Sequence, residues 1–157
     1  MGKKSTKINK LKYQVAREEA GLSRKDVEDQ TDGMLTENRL EKIENERLKA
    51  TPYDVLQMAK LYHRPDLCNH YCTNECDIGI SYVPKVEYIS DLPQTTLALL
   101  SSLNQIEEDK NSIINIASDG QITEDERDAF CEFCEHLNKM SLAIESLKLW
   151  AKKELSE

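Results

Sequence analysis

The sequence predicts an all-α protein, and three observations predict it. Apolar residues recur at steps of three and four over most of the chain. Helix-start signatures stand at Ser23-Arg24-Lys25-Asp26, Thr51-Pro52-Tyr53-Asp54 and Thr123-Glu124-Asp125-Glu126. The four prolines fall at 52, 65, 84 and 93, so they punctuate the first two-thirds and leave the last third unbroken. The 157 residues suffice for one domain or two small ones.

Residues 8–66 carry four or five short helical patterns. Leu11, Val15, Ala16 and Ala20 are spaced for one face of a first helix, which Gly21 ends. Ser23, followed three residues on by Asp26, starts a short second helix with Val27 as its obvious apolar residue. Asp32-Gly33 is a turn, and a third helix starts near Thr36. A fourth starts at Thr51 with Pro52 in its first turn, where a missing N–H costs nothing. It is expected to bury Val55, Leu56, Ala59 and Leu61 or Tyr62, and to stop before Pro65.

Residues 67–91 read as a junction: a short helix around Cys68, Cys72 and Cys76, then an extended connector alternating through Ile80, Tyr82, Val86, Tyr88 and Ile89. Residues 92–157 read as a long helical hairpin. Leu99, Leu103, Ile106, Ile113 and Ala117 mark its first helix, with Lys110 at the missing step. Ser118-Asp119-Gly120 is the turn. Phe130, Phe133, Leu137, Met140, Ile144, Leu147 and Ala151 then alternate steps of three and four, a heptad-like seam of about three repeats. Helices of roughly 26 and 32 residues would each be ~40–50 Å long. Their side surface suits a second copy forming a four-helix bundle, the alternative being a hairpin folded back on the first domain.

The third helix carries the functional signal. Leu35, Leu40 and Ile43 can face inward while Thr36, Glu37, Asn38 and Lys42 face out, as on a helix lying in a major groove. The net charge of −8 opposes DNA binding by the chain as a whole, but it is unevenly spread. Residues 1–66 hold 14 Lys+Arg against 12 Asp+Glu, with Lys3, Lys4, Lys7, Lys10 and Lys12 clustered at the start, whereas residues 67–157 hold 7 against 17. Phosphates respond to the local field, so the first part is the candidate DNA-binding domain.

Residues 11–62 resemble the helix-turn-helix domain of phage Cro and repressor proteins, the XRE-type family. The matching stretches run from Val15 to Ser23, from Leu40 to Asn45 and from Pro52 to Leu61, and Ile43-Glu44-Asn45 is the most specific of them. The resemblance implies a lambda-repressor-like bundle of four or five helices whose third helix reads bases. It assigns base contacts to Thr36, Glu37, Asn38, Arg39 and Lys42, and phosphate contacts to Arg24, Arg47 and Lys49. It implies a transcription regulator that binds double-stranded DNA, and the side surface of the hairpin leads to the expectation of a homodimer joined through the C-terminal helices. The whole chain is similar to a group of regulators from Gram-positive bacteria and mobile elements, in which a Cys-rich junction and a helical region follow such a domain. Three departures stand out. The turn through Thr31-Asp32-Gly33-Met34 is about two residues longer than usual. The small residue normally buried in the second helix is replaced near Val27-Glu28. Glu37 and Glu41 place negative charge on the reading helix. A rival reading follows, in which the domain is a scaffold and the hairpin an adaptor for another protein.

Cys68, Cys72 and Cys76 repeat every four residues. Three thiolates with a fourth ligand from His63, His70, Cys131 or Cys134 would suit zinc, but on a straight helix they span ~12 Å, too far for one ion. Packing or free thiols are the alternative. No catalytic constellation and no Gly-rich phosphate loop appears, so an enzyme is not expected. No run approaches the ~18 apolar residues of a membrane helix, and the basic N-terminus precedes no apolar segment. A cytoplasmic protein with reduced cysteines is the expectation.

Overall fold

The computed structural model describes residues 10–87 and 91–155, all of whose regular elements are helical. The chain divides into two compact units, one ending at Val83 and the other running from Pro84 to Leu155.

The first unit holds α1 (Lys12–Glu19), α2 (Arg24–Gln30), α3 (Glu37–Glu44), α4 (Pro52–Leu61), α5 (Asp66–Asn74) and α6 (Asp77–Tyr82). Local chemistry fixes the starts. Ser23 and Asp26 form a reciprocal capping box, as do Thr51 and Asp54, and Pro52 occupies the first turn of α4. Gly21, Asp32 and Gly33 adopt positive φ and turn the chain between α1, α2 and α3. Val27, Leu35, Leu40, Ile43, Val55, Met58 and Leu67 are almost completely buried together. Each such side chain contributes about 1.5–3 kcal/mol against an exposed reference.

Several expected faces are rotated. Helix α1 buries Tyr13, Gln14, Ala16 and Arg17, while Ala20 is exposed. Polar residues lie inward there because Arg17 meets Glu44 and Tyr13 donates to Glu75. On α4, Leu56 is exposed and Met58 takes the core position. The extended connector expected after Cys76 is instead α6, whose start is capped by the Cys76 sulfur accepting from the Gly79 N–H. A Cβ on Gly79 would lie 2.2 Å from the Cys72 carbonyl oxygen, so only glycine lets α6 approach α5 so closely. Leu67 on α5 belongs to the same core as α1–α4. Tyr88 and Ile89 lie outside the described residues, as do Lys3, Lys4 and Lys7.

The second unit is built on α7 (Leu92–Ala117) and α8 (Arg127–Leu155), which pack on each other as a hairpin. Asp91 caps α7 by accepting from the Gln94 N–H, and Pro93 lies in its first turn. The Thr123 N–H and hydroxyl both donate to Glu126, one residue before α8 begins. The seam differs in detail from the expected one. On α7 it runs Thr95, Leu99, Ser102, Ile106, Asp109, Ile113 and Ile116, so Ser102 replaces Leu103 and Asp109 replaces Lys110. On α8 it runs Phe133, His136, Met140, Ala143, Leu147 and Trp150, so His136 and Ala143 replace Leu137 and Ile144, and Leu149 is buried beside it. The reason is polar pairing: His136 Nδ1 lies 2.6 Å from Asp109 Oδ2 across the hairpin, which sets the register of the two helices. Among the described residues, no helix is long and apolar enough to cross a membrane.

Candidate nucleic-acid interface

Helix α3 has two unlike sides. Leu40, Ile43 and Glu44 are buried, whereas Glu37, Asn38 and Lys42 are exposed along the opposite side. Leu35, fully buried just before the helix, pins its entry. The exposed Thr36 is the N-cap: its hydroxyl oxygen accepts from the Arg39 N–H at 3.2 Å. The next backbone N–H, of Glu37, donates to Glu28 on α2 at 2.8 Å. Thr31 is buried between α2 and α3, donating to the Val27 carbonyl and accepting from the Leu35 N–H. The lengthened turn is therefore fastened by side chains from both ends.

The far end of α3 is held by charge. Glu44, 1% exposed, receives Arg17 Nε at 2.6 Å and Nη2 at 3.0 Å. Arg24 Nε donates to the same carboxylate at 2.8 Å. One buried anion thus joins α1, α2 and α3. Ile43-Glu44-Asn45 acquires a physical meaning: Ile43 fills the core, Glu44 is the hub, and Asn45 Nδ2 returns to the Glu41 carbonyl at 2.9 Å. Arg39 forks onto Asp54 of α4, Nε to Oδ1 at 2.8 Å and Nη2 to Oδ2 at 2.7 Å. Burial raises the Asp54 carboxyl, but Arg39 and the Thr51 donors outweigh it and hold the group below the usual range.

The residues assigned to DNA contact therefore separate into two sets. Glu37, Asn38 and Lys42, with Lys49 and the mostly exposed Arg47 on the following loop, face solvent. Arg47 lies 3.5 Å from Glu41, a loose surface pair. Arg24 and Arg39 are engaged in holding the helices together, an outcome that the sequence did not signal. Arg17, Glu44 and Asp54, central to the geometry, were not singled out as site residues. Glu44 stands in the Ile43-Glu44-Asn45 element and Asp54 in a helix-start signature, but for their burial the only mark is a charged residue on a helix face that should be apolar.

An open cleft of about 500 Å³ lies beside the first turn of α3, lined by Arg24, Glu28, Thr36, Glu37, Asn38 and Glu41. Its three carboxylates contrast with Lys42, Arg47 and Lys49 toward the other end of α3. A groove-reading surface could use the carboxylates as acceptors for cytosine amines and the cations for phosphate.

The three junction cysteines do not form a ligand set. Cys68 packs against the core, Cys76 caps α6, and among the described residues no group of three His, Cys, Asp or Glu side chains is placed to hold a metal ion. Cys68 and Cys72 lie on one continuous helix, α5, and Cys76 stands at the start of α6, where it accepts from the Gly79 N–H. Comparison of the chain with protein-family models, curated proteins and solved structures finds no match.

Proposed function

We propose that this chain is a DNA-binding transcription regulator that works as a dimer, a role carried out in the cytoplasm and without catalysis. The observation that supports this best is α3 itself. It is a short helix anchored at both ends by α2, with hydrogen-bonding side chains along its free side. Asn38 can pair with adenine through two hydrogen bonds and Lys42 with guanine. Glu37 can accept from cytosine, and the Thr36 hydroxyl keeps a donor while its oxygen caps the helix. Lys49 and Arg47 supply phosphate contacts. Two copies would read two half-sites and double those contacts, offsetting the modest positive charge of one domain.

The test is a gel shift of the folded protein against a random duplex pool at low salt, followed by selection and sequencing. Enrichment of a two-fold symmetric site, lost when Asn38 and Lys42 are both changed to alanine, is the expected result. A folded dimer that retains no duplex overturns the reading. The rival role, with this domain a scaffold and the hairpin an adaptor for another protein, draws on one observation, the three carboxylates around the cleft, which repel phosphate. In that case the double alanine variant changes nothing.

A further inference from the structure

Most of the exposed large apolar residues in the middle of the hairpin gather on one side, with Leu97 and Leu142 lying off it. On α7, Leu100, Leu103 and Ile114 are 50%, 42% and 57% exposed, and on α8, Leu137 and Ile144 are 42% and 40% exposed. Leu103 follows the seam residue Ser102, and Leu137 and Ile144 follow His136 and Ala143. In an antiparallel pair of helices, positions one step after the second seam residue of each heptad flank the same side of the seam. Leu100 and Ile114 sit next to that position on α7. These residues therefore share one side of the hairpin.

The pattern on that side reverses onto itself. About the midpoint between Glu107 and Lys110 on α7, Leu103 mirrors Ile114 and Leu100 mirrors Ala117. Glu107 mirrors Lys110, an acid onto a base, and the two already pair within α7 at 3.1 Å. On α8, Phe130 and Ile144 lie seven residues either side of Leu137. The two midpoints stand at the same height, because Asp109 is hydrogen-bonded to His136. A single two-fold axis can thus satisfy both helices at once.

From this we infer that the side bearing Leu103 and Leu137 is the dimer surface, and that its occupant is a second copy related by a two-fold axis lying in the contact and running across both helices. Each α7 stacks antiparallel on its counterpart, and each α8 likewise. Leu137 meets Leu137 of the other copy, Leu103 meets Ile114, and Glu107 meets Lys110. All neighbouring helices in the resulting four-helix bundle are antiparallel, so their dipoles oppose favourably. The overlap is about 30 Å long and about 20 Å wide, covering about 600 Å² per copy and about 1,200 Å² in all, the lower end of a stable interface. The inference deepens the dimer part of the proposed function and makes no use of DNA.

Sedimentation equilibrium of the full chain without DNA is the test. The wild type is expected to be a dimer. Leu137→Glu places two carboxylates on the axis and should raise the dissociation constant at least about 30-fold, as loss of a central hot spot does, with helix content by circular dichroism unchanged. Leu142→Glu, on the other side of α8, should leave the dimer intact. Glu107→Lys and Lys110→Glu should each weaken association, and mixing the two single variants should restore it as a heterodimer, a rescue that the Glu107–Lys110 pair within α7 cannot supply because it is broken in both. A monomeric wild type, a Leu137→Glu dimer of unchanged strength, equal damage from Leu142→Glu, or no rescue on mixing the charge variants overturns the inference. Because duplex binding is measured separately, a monomer that still selects a DNA site would reject this surface while leaving the DNA-binding role standing.

Discussion

The guanidinium of Arg17 meets the carboxylate of Glu44 through two hydrogen bonds, with 8% of the arginine side chain and 1% of the glutamate side chain exposed. A charge so buried is tolerated only when its partners are in place. Arg24 supplies the third bond, so three helices share one anion. Glu44→Ala should therefore cost about 3–5 kcal/mol by stranding Arg17. Urea unfolding followed by circular dichroism measures this, and a loss below about 1 kcal/mol would show that the hub is dispensable.

Asn38 is exposed and free for the proposed base contact, whereas its neighbour Arg39 is paired with Asp54. Asn38→Ala should leave stability within about 0.5 kcal/mol, because the side chain is exposed, and should cost about 1–3 kcal/mol in operator affinity. Arg39→Ala removes the fork on the buried Asp54 and should cost about 1–2 kcal/mol of stability before any DNA is added. Thermal melts and gel shifts of both variants separate the roles. A stability loss from Asn38→Ala equal to that from Arg39→Ala would contradict the assignment.

Tyr62 is buried in the core, and among the described residues its hydroxyl has no hydrogen-bond partner in the protein. Burial, and then the nearby charge of Glu44, push its ionisation well above the usual range. Tyr62→Phe should leave stability at pH 7 unchanged or raise it by about 1 kcal/mol. At high pH the difference should grow. A raised folded pKa gives stability that is complete below about pH 10, the unfolded value, and lost as pH climbs toward the folded one. Denaturant midpoints at pH 7 and above pH 10 test both statements, and a destabilised phenylalanine variant would reveal a bond to the hydroxyl.

Asp54 and Asp66 act in the acid range. Burial raises both carboxyls, but Arg39 and Thr51 at Asp54, and Arg64 and Lys12 at Asp66, hold them below the ordinary value. With folded values below the unfolded one near about 3.9, their contribution is complete above about pH 5 and drains away as pH falls toward the folded values. Stability of the wild type should fall between pH 5 and pH 3, a range taken from that reference value of about 3.9. Asp54→Asn should be less stable at pH 7 yet lose less on acidification. An equal acid loss in wild type and variant would remove Asp54 from the account.

Much of the helical organisation was legible because it is written locally. Ser23, Thr36 and Thr51 announce helix starts by accepting from N–H groups three positions on, and Pro52 by occupying a first turn. The inward residues of α3 were legible as well, since Leu40 and Ile43 keep helical spacing and have no rival partners. What periodicity could not show is where polar residues turn inward. Arg17, Glu44 and Asp54 are buried only because each meets another across the fold, with sequence separations of 27 for Arg17 and Glu44 and 15 for Arg39 and Asp54. The same cause misled the reading of the hairpin. Leu103 and Leu137 looked like seam residues, but the Asp109–His136 contact turns them outward. Helix α6 was hidden by Gly79 and the alternating Ile78, Ile80 and Tyr82, of which Ile80 and Tyr82 suggested a strand, and all three apolar side chains prove exposed.

Thr95, Ser102 and the Asp109–His136 pair occupy levels where a bundle of this length would otherwise stack hydrocarbon. They define the alignment of α7 and α8 strongly and hold it weakly, since little grease is withdrawn from water at those levels. The amide protons of the two long helices should accordingly trade for deuterium well before those around Leu40, Ile43 and Met58, and a melt recorded at dilute concentration should show the hairpin loosening first. In the proposed role, the protein would then answer to abundance: at low copy number the hairpin would be slack and each α3 would act alone, and as the pool grows the hairpins would stiffen in pairs and occupancy of a double site would rise as a threshold.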